Sequence, residues 1–448
     1  MGLGLNGGGL ESARFFVRHG ARVTVTDLRG EDILASSLKE LEGLPIRYVL
    51  GRHEEEDFGN ADIVIKNPAV RPDSPYLAKA RRVETDMSVF LSLYTGPVLA
   101  VTGSKGKSTT SSALHYGLQG VFPGSRLGGN ITTSPLSFLG DLSPEDPVVL
   151  ELSSWQLGDL RGRGLLKPRV ALLTSILPDH LDRYGCMEPY VADKKVIYEN
   201  QDSYDYTLCF YDDPWGRVFA EETRGTPVMF SRSPLPRGLS GAWLEDGRGF
   251  VHPRLALETR PVLILPRDVR VAGEHQKINL LAAGLALYLF GLPPQIIRTR
   301  LKEFPGIEHR LELCGEREGV RFYNDSAATI PEALSAAVTS FPGRPVNLIT
   351  GGTDKKLDFS VFEEAARIPR RIYLLEGTAT LKLQALLEKL RIPYNGPYPS
   401  LEQALAAAVE TAKSGEVIVF SPGCTSFGMF LNEFDRGRRF KALVSRLM

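Results

Sequence analysis

The sequence predicts an α/β protein of three domains, each built on a mainly parallel β-sheet. Two observations support this prediction. Apolar strand-like runs alternate with helix-like patterns along the 448 residues, as in sheets whose parallel strands are joined by helices. Breaks in this alternation near residues 95 and 304 divide the chain into predicted domains at 1–95, 96–304 and 305–448.

The individual elements follow from the hydrophobic periodicity. In the first domain, helices are predicted at 10–19 and 32–41, and strands at 22–27, 46–50 and 62–66. The second domain has predicted strands at 98–102, 148–151 and 170–174, a polar and less regular stretch from 201 to about 266, and an apolar helix after Asn279. The third has predicted strands at 320–324, 346–350, 372–376 and 417–421.

Charge and cysteine content narrow the class of protein. Lys+Arg and Asp+Glu balance at 53 each, which argues against general nucleic-acid binding and against a basic membrane patch. The four cysteines lie far apart, in no metal-ligand spacing, and indicate reduced thiols. The apolar stretch Leu280 to Leu292 is too short to cross a bilayer. We therefore expect a cytoplasmic protein with no membrane insertion.

The clearest motif is a glycine-rich loop directly after the strand at 98–102. Because a helix begins at once after this loop, backbone N–H groups and the helix N-terminus can bind phosphate there. Lys107 supplies positive charge for the β- and γ-phosphates, and the Ser108 hydroxyl can ligate Mg²⁺. Two residues separate the first glycine from the Gly-Lys pair, where the common P-loop has four. The predicted ATP-binding residues here are Gly103, Ser104, Lys105, Gly106, Lys107, Ser108 and Thr109.

A second glycine-rich segment opens the chain. Gly2, Gly4 and Gly7 form a dinucleotide-type fingerprint, and Asp27 ends the next predicted strand, where it can bond a ribose. Taken alone this signal is weak, because glycine-rich termini are common. Together, the two segments suggest ATP at one site and a nucleotide-linked substrate at the other.

An acidic group follows two predicted strands of the second domain. Glu151 ends one strand, and Asp179, His180 and Asp182 follow the strand at 170–174. The carboxyl ends of neighbouring parallel strands are where open α/β sheets bind ligands. Because Mg²⁺ beside ATP needs few protein ligands, we predict that Glu151 and His180 bind it. A lone loop histidine is otherwise a surface or capping residue, but the glycine-rich loop upstream favours the metal.

In their order along the chain, several motifs resemble the Mur ligases, cytoplasmic enzymes that add amino acids to the UDP-muramyl precursor of peptidoglycan. These motifs are residues 103–109, 151–154, 179–183, 274–279, 306–310 and 324–326. A closer similarity, to the members that add D-glutamate, rests on residues 197–200 after Lys194, on Gly351-Gly352 and on residues 421–427. The resemblance covers the whole chain.

The resemblance implies a Rossmann-like domain for the UDP moiety, a central P-loop ATPase domain and a Rossmann-like domain that receives the amino acid. It implies ADP-forming ligation of D-glutamate to UDP-N-acetylmuramoyl-L-alanine through an acyl phosphate, in peptidoglycan precursor synthesis and hence in cell shape and division. We expect a monomer with no nucleic-acid partner.

The resemblance also carries site residues over by position. For the acceptor it implies Leu5, Asn6, Asp27, Arg29 and Asn130; for ATP, Gln276, Asn279, Arg310 and Asp325; and for glutamate, Thr329, Lys355 and Ser426. The expected catalytic residues are Lys107, Glu151, His180 and Lys194, and the expected metal ligands of two Mg²⁺ ions are Ser108, Glu151, His180 and Lys194.

Two lysine positions lead to specific hypotheses. In the resembled ligases the lysine at the position of Lys194 is carbamylated and helps to bind the second Mg²⁺, whereas the adjacent pair Lys194-Lys195 alone would indicate a solvated helix face. The family pattern has a lysine where this chain has Ala327. We therefore expect Lys355 or Lys356 to supply the missing positive charge for glutamate.

Other functions stay open from the sequence. The nearest is a related ligase that uses L-glutamate or another amino acid on a similar acceptor. A folylpolyglutamate synthetase-like enzyme shares the phosphate loop but lacks the N-terminal nucleotide fold. An NAD-dependent oxidoreductase would explain Gly2 and Gly4 but leaves Lys107, Glu151 and His180 without a role. A non-catalytic nucleotide-binding scaffold is a further alternative.

The N-terminal fingerprint leads to one more expectation. A glycine loop of this kind follows a strand, and only Met1 precedes Gly2 here. In a doubly wound sheet that strand is central. We therefore expect the strands at 23–27 and 63–66 to face an unfilled slot, and an internal start codon at Met1 to be the cause.

Overall fold

The computed structural model describes residues 1–5, 7–131, 133–252, 260–355, 357–426 and 428–448. Its internal contacts divide the chain into two compact units. Unit 1 comprises residues 1–267 and 278–301, and unit 2 comprises residues 268–277 and 302–448. The domain boundaries at 95 and 304 stay predictions.

The amino-terminal part of unit 1 contains two small parallel sheets. Strand β1 pairs with β2, and β3 pairs with β4, both in parallel register. Its elements are α1 (Gly8–Arg18), β1 (Val23–Asp27), α2 (Glu31–Lys39), β2 (Ile46–Leu50), α3 (Glu55–Asn60), β3 (Val64–Ile65), β4 (Val83–Glu84) and α4 (Asp86–Leu93). The predicted elements are all present, and β3 is shorter than the predicted strand at 62–66.

The slot expected between the strands at 23–27 and 63–66 is present. A cavity of about 760 Å³ lies there, lined by residues of both β1 and β3. Met1 and Gly2 border the same cavity.

The rest of unit 1 is built around a nine-stranded sheet in the order β13-β12-β11-β10-β9-β8-β5-β7-β6. Pairing is parallel from β6 as far as β11, and β12 runs antiparallel to both of its neighbours. Its elements are β5 (Val98–Thr102), α5 (Lys107–Leu118), β6 (Arg126–Gly129), β7 (Val148–Glu151), α6 (Ser154–Leu160), β8 (Val170–Leu173), α7 (Leu181–Tyr184), α8 (Met187–Lys195), β9 (Tyr206–Phe210), α9 (Pro214–Glu222), β10 (Thr226–Ser231), β11 (Gly241–Glu245), β12 (Arg248–Val251), β13 (Val262–Leu265), α10 (Glu274–Leu289) and α11 (Pro294–Glu303).

The prediction of a less regular stretch from 201 to about 266 is wrong. This stretch forms strands β9 to β13 and helix α9, which extend the sheet on one side. Strands β11 and β12 mix exposed polar residues with buried apolar ones, as an antiparallel pair does when one face is solvated. Such short alternating runs are weak strand signals, and for this reason the sequence analysis did not predict these two strands.

The apolar helix predicted after Asn279 is confirmed as the carboxyl-terminal part of α10. Most of its leucines and alanines are fully buried, including Leu280, Leu281 and Leu285. Gly284 of this helix allows the close approach of Leu301 on α11, since an added Cβ would lie 2.9 Å from the Leu301 side chain. Among the described residues, each helix is too short or too polar to span a bilayer.

Unit 2 contains a six-stranded sheet in the order β14-β15-β19-β16-β17-β18, in which only β14 is antiparallel to its neighbour. Leu348 and Ile349 of β16 belong to separate apolar clusters, so both faces of the sheet are covered. The elements are β14 (Glu312–Arg317), β15 (Val320–Asn324), α12 (Pro331–Thr339), β16 (Val346–Thr350), β17 (Arg371–Leu375), α13 (Thr378–Lys389), β18 (Asn395–Tyr398), α14 (Leu401–Thr411), β19 (Val417–Phe420) and α15 (Glu433–Leu447). The predicted class, α/β with mainly parallel sheets, is confirmed.

Candidate active site

The glycine loop after β5 has a conformation that only glycine can supply. Gly103 has a φ of 143° and Gly106 a φ of 89°. A Cβ on Gly103 would lie 1.8 Å from the Thr174 hydroxyl oxygen, and one on Gly106 would lie 2.4 Å from Oδ1 of Asn279. Helix α5 begins at Lys107, directly after Gly106. The backbone therefore forms the tight turn into a helix that the motif predicts.

Ser104 anchors this loop to the segment that follows β8. Its hydroxyl donates to the carbonyl oxygen of Leu177 and accepts from the Leu177 N–H, both at 2.9 Å. The same hydroxyl lies 2.9 Å from the hydroxyl of Tyr190 on α8. Lys105, by contrast, is largely exposed, and its Nζ lies 3.7 Å from Oδ2 of Asp179. Of these two residues that were predicted to bind ATP, Ser104 is held by hydrogen bonds within the protein, whereas the side chain of Lys105 is largely exposed.

Lys107 folds back over the loop. Its Nζ donates to the carbonyl oxygen of Gly103 at 2.9 Å and to that of Ser104 at 3.1 Å. This places an ammonium group beside the turn whose N–H groups are expected to bind phosphate. A cation in this position lowers the electrostatic energy of a bound polyphosphate.

Glu151 lies at the end of β7 and is held by three donors. The hydroxyls of Ser108 and Ser111 on α5 donate to its Oε1 and Oε2 at 3.3 and 3.1 Å. Nδ2 of Asn130 donates to Oε1 at 3.2 Å. Glu151 is almost fully buried. The structure therefore brings together three of the residues that the sequence selected: Ser108, Asn130 and Glu151.

His180 lies in the loop after β8, at the N-terminus of the short helix α7. Its backbone is left-handed, with φ 53° and ψ 29°, a conformation that is uncommon for residues other than glycine. The side chain is exposed, and its ring centroid lies 5.1 Å from that of Trp155. An exposed imidazole held against an aromatic ring can reach a ligand in solvent.

Lys194 is the lysine of the adjacent pair that reaches the loop. It is 1% exposed, its Nζ donates to the carbonyl oxygen of Gly103 at 3.0 Å, and it lies 4.5 Å from the ring centroid of Tyr190. Burial, with a further contribution from the charge of Lys107, holds the pKa of Lys194 well below its usual range. Lys195 instead forms an ion pair with Glu222 at the surface. The solvated-face interpretation therefore fits Lys195 and fails for Lys194.

Asp27 organises the N-terminal glycine segment. Its carboxylate accepts from the Gly4 N–H at 3.2 Å and from the Arg29 N–H at 3.0 Å, and it forms a two-point ion pair with the Arg29 guanidinium. Burial alone would raise the pKa of Asp27, but these donors bring it below its usual range. Leu5 is half exposed beside this group. Asn6 lies outside the described residues.

In unit 2, Asp325 is buried at the end of β15. Its carboxylate accepts from the Ser421 hydroxyl at 2.7 Å and from the Leu311 N–H at 3.1 Å. Burial raises the pKa of Asp325 to about 7, against the opposing effect of these donors and of the Arg310 and Arg436 charges. Arg310 itself is exposed.

The predicted glutamate residues follow neighbouring strands of the unit 2 sheet. Thr329 comes after β15, Lys355 after β16 and Ser426 after β19, and these three parallel strands are adjacent in the order β15-β19-β16. Backbone hydrogen bonds between Thr353 and Thr425, at 3.0 and 3.1 Å, join the last two loops. Lys356, the alternative cation, lies outside the described residues.

Sequence reasoning missed Arg436, which is 1% exposed within α15. Its guanidinium donates to the carbonyl oxygen of Ser326 at 2.7 Å, to the Ser326 hydroxyl at 3.1 Å and to the carbonyl oxygen of Cys424 at 3.1 Å. Burial lowers the pKa of Arg436 to about 10. It fastens the loops after β15 and β19 to each other. Nothing in the surrounding helix pattern distinguishes it from a surface arginine.

The residues after β5 and β7 fit a magnesium–triphosphate. A glycine turn, a helix N-terminus and the ammonium of Lys107 suit an anion. The Ser108 hydroxyl and the Glu151 carboxylate are oxygen donors, which Mg²⁺ prefers. Helix α10 begins within unit 2, which includes Gln276, and continues in unit 1, where Asn279 lies against Gly106.

Comparisons with known proteins agree with this site. Three family models match in succession: Mur ligase MurD-like, N-terminal domain, at residues 1–88; Mur ligase middle domain at 101–287; and Mur ligase, glutamate ligase domain, at 309–424. The UDP-N-acetylmuramoylalanine–D-glutamate ligase of Treponema pallidum (strain Nichols) is 42% identical, over 99% of this chain and 96% of the relative. The enzyme of that name from Roseiflexus sp. (strain RS-1) is 43% identical, over 99% and 97%.

Solved structures support the fold. The UDP-N-acetylmuramate–alanine ligase of Thermotoga maritima matches with a TM-score of 0.61 and 19% identity, over 100% of this chain and 98% of that one. The MurF ligase of the same organism, solved with ADP, matches with a TM-score of 0.57 and 19% identity, over 96% and 97%.

Fold and site together define an ATP-dependent, ADP-forming ligase. The chain belongs to the Mur ligase family, whose three-domain α/β architecture it shares.

Proposed function

We propose that this enzyme joins D-glutamate to UDP-N-acetylmuramoyl-L-alanine at the expense of ATP, in the cytoplasm and as a monomer. Its full-length relatives named for this reaction support the proposal. The single structural observation that carries it is the convergence of Ser108, Glu151 and Lys194 on the glycine loop.

The reaction proceeds in two steps. The acceptor carboxylate attacks the γ-phosphorus of ATP, the bond to the β-phosphate oxygen breaks, and ADP leaves. The neutral amine of glutamate then attacks the acyl carbon, the carbon–oxygen bond to phosphate breaks, and the amine loses a proton. Activation as an acyl phosphate turns a poor leaving group, the carboxylate oxygen, into a good one, phosphate. The protein therefore mainly positions the reacting groups and neutralises their charge.

Nucleotide binding is assigned to two sets of residues. We propose that the loop Gly103–Thr109 binds the phosphates through its N–H groups and Lys107. By resemblance, Gln276, Asn279, Arg310 and Asp325 bind the rest of ATP. The orphaned Oε1 of Gln276, which is buried without a hydrogen-bond partner among the described residues, suits an adenine amino group.

Magnesium binding is assigned to oxygens in the first turn of α5 and at the end of β7. We propose that Ser108 and Glu151 hold one Mg²⁺ beside the phosphates, because their oxygens already lie 3.3 Å apart. His180 and Lys194 are proposed for the second ion. Mg²⁺ neutralises charge that builds up on the transferred phosphoryl group.

Lys194 is proposed to act as a carbamate. The ammonium would first lose one proton, and the neutral amine would then attack CO₂, form a carbon–nitrogen bond and release a second proton, so that an anion replaces a cation. A lowered pKa favours this step because only the neutral amine is nucleophilic. The buried position also explains why the modified side chain needs a partner of positive charge, which a metal ion supplies.

The residues that bind the acceptor and glutamate are assigned by resemblance. Leu5, Asn6, Asp27, Arg29 and Asn130 are proposed to bind the acceptor, and Thr329, Lys355 and Ser426 to bind glutamate. Because the carboxylate of Asp27 is already bonded to Gly4 and Arg29, we assign it the role of shaping the loop around the uridine. The exposed part of Arg29 is then the group available to the ligand.

The test is phosphate release with each substrate varied separately. Release should require ATP, UDP-N-acetylmuramoyl-L-alanine and D-glutamate together, and L-glutamate and other amino acids should give little. Because Ala327 departs from the family pattern at the glutamate end, an enzyme that prefers L-glutamate is the second candidate. Release without any amino acid would indicate uncoupled hydrolysis, and no release would contradict ligation.

A further inference from the structure

Ser111 lies one turn after Lys107 on helix α5 and contacts both residues that are proposed to hold Mg²⁺ beside the phosphates. It is 0% exposed. Its hydroxyl lies 3.1 Å from Oε2 of Glu151 and 3.2 Å from the carbonyl oxygen of Ser108. A serine within a helix commonly donates to a carbonyl three or four residues back. Here a carboxylate at the end of β7 offers a second acceptor, so Ser111 links α5 to β7 inside the protein.

The backbone of Glu151 is fixed from both sides by the sheet. Glu151 pairs with Val101 of β5 and with Gly129 of β6. Its carbonyl oxygen accepts from the Asn130 N–H at 2.8 Å. The glutamate side chain, by contrast, has several rotatable bonds, and ordering them costs free energy. Hydrogen bonds to the carboxylate must therefore set the direction in which its two oxygens point.

Three neutral donors among the described residues hold this carboxylate, and they divide between its two oxygens. Ser108 and Asn130 donate to Oε1, whereas Ser111 donates to Oε2. In the proposed enzyme with its ligands bound, Ser108 binds Mg²⁺ and Asn130 binds the acceptor, so both donors acquire other partners. Ser111, which is fully buried, has no such role. Of these three donors, Ser111 is the one that stays with Glu151 when metal and substrates are bound.

We propose that Ser111 is a positioning residue for the Mg²⁺ beside the phosphates. It holds Oε2 of Glu151, so that Oε1 stays directed towards the Ser108 hydroxyl. Carboxylates that ligate metals are themselves hydrogen-bonded, and loss of such a partner weakens metal binding by roughly 10- to 100-fold. The role of Ser111 rests on the proposed assignment of Glu151 to Mg²⁺.

The test measures the Kd of the whole chain for a fluorescent, non-hydrolysable ATP analogue, once in saturating Mg²⁺ and once in EDTA. In Mg²⁺, Ser111→Ala should raise this Kd by about tenfold or more, because the metal is held less tightly in the complex. In EDTA the Kd should change by less than about twofold, because the glycine loop and Lys107 are untouched. Mn²⁺ that binds the complex, measured by electron paramagnetic resonance, should show a matching loss of affinity.

Thr110→Val is the matched control for Ser111→Ala. The Thr110 hydroxyl is buried on the same helix without a hydrogen-bond partner among the described residues. Its removal should leave the Kd within about twofold of wild type in both conditions. Glu151→Ala gives the full effect of losing the carboxylate. Adding Ser111→Ala to Glu151→Ala should cause no further loss, because residues that act through one interaction are not additive.

Each other outcome overturns a specific part of this assignment. Equal losses of affinity in Mg²⁺ and in EDTA for Ser111→Ala would mean that Ser111 supports the fold of the loop and does not act on the metal. Wild-type affinity of Ser111→Ala in Mg²⁺, together with a loss in Glu151→Ala, would overturn the role of Ser111 and leave the magnesium site standing. Wild-type affinity of Glu151→Ala in Mg²⁺ would overturn both. A further loss in the double variant would show that Ser111 acts apart from Glu151.

Discussion

Lys194 donates a hydrogen bond to the carbonyl oxygen of Gly103, 91 residues earlier in the chain. This bond joins α8 to the phosphate loop and brings a second lysine beside Lys107. Two ammonium groups so close repel each other, and burial adds to the cost of charging Lys194. Both effects favour the neutral amine at this position.

The first prediction compares Lys194 with Lys195. If Lys194 is the proposed carbamate ligand of a second Mg²⁺, Lys194→Ala should lose at least 100-fold in kcat, and a small added carboxylate such as acetate should restore part of it. Lys195→Ala is the matched control and should stay within about twofold, because its ion pair is at the surface. Steady-state phosphate release with and without acetate measures both. Equal, modest losses in the two variants would contradict the carbamate.

The second prediction concerns the phosphate loop. If Lys107 binds the transferred phosphoryl group as proposed, Lys107→Ala should lower kcat by about 100-fold or more while the fold persists, because this positive charge is lost. Lys105→Ala removes an exposed lysine from the same loop and should have a much smaller effect. Turnover and circular dichroism of both variants give the comparison. A folded Lys107→Ala enzyme with near-normal turnover would show that the triphosphate binds elsewhere.

The third prediction concerns the glutamate end of the substrate site. If Lys355 supplies the charge that Ala327 lacks, Lys355→Ala should raise the KM for glutamate about tenfold or more and leave the KM for ATP nearly unchanged. Lys389→Ala removes another lysine of unit 2, one paired with Glu363 at the surface, and serves as the control. Both constants come from the same phosphate-release assay. A parallel rise in the KM values for glutamate and for ATP would contradict the assignment of Lys355 to the glutamate site.

The fourth prediction is a pH dependence of stability that arises from Asp325. Its folded-state pKa of about 7 lies above the usual value of 3.8, so between these pH values the folded protein holds a proton that the unfolded chain has lost. The free energy of unfolding should therefore fall by about 2 kcal/mol between pH 5 and pH 7 from this group alone. Asp325→Asn should remove this dependence, because an amide does not titrate.

Chemical denaturation of both proteins at pH 5, 6, 7 and 8 measures the effect. The difference between wild type and variant should change most from pH 5 to pH 7 and level off above it. The charges of Arg310 and Arg436, which act on Asp325, are present in both proteins. A difference that does not vary with pH would mean that Asp325 is ionised throughout.

The sequence predicted the central strands well because they are buried on both faces. Strands β5, β7, β15 and β16 occur at the predicted residues, and each is a short, almost wholly buried segment. Strands β11 and β12, which mix exposed polar with buried apolar residues, were missed, since their stability comes from pairing with a neighbour rather than from their own composition. The hydrophobic pattern of a few consecutive residues does not show which strand pairs with which.

The site was predicted where a motif places its residues close together in the sequence. It was predicted less well where the fold brings together residues from distant parts of the sequence. Ser108 and Glu151 meet because β5 and β7 are neighbours in the sheet, which the parallel-sheet argument anticipates. The burial of Lys194 depends on how α8 packs, and the pattern of α8 does not reveal it. Arg436 was missed for the same reason: its partners are loop carbonyls more than 10 residues away.

The long separation between Gly103 and Lys194 has a consequence for synthesis of the chain. During translation the phosphate loop and α5 leave the ribosome well before α8 is made, and domains fold from the amino-terminal side as they emerge. A nascent chain that ends before residue 194 therefore carries the glycine turn without the hydrogen bond that fixes it from α8. Closing a contact over so many residues also costs loop entropy, so this bond forms late. A growing polypeptide accordingly lacks this fixed turn until the segment bearing Lys194 has docked.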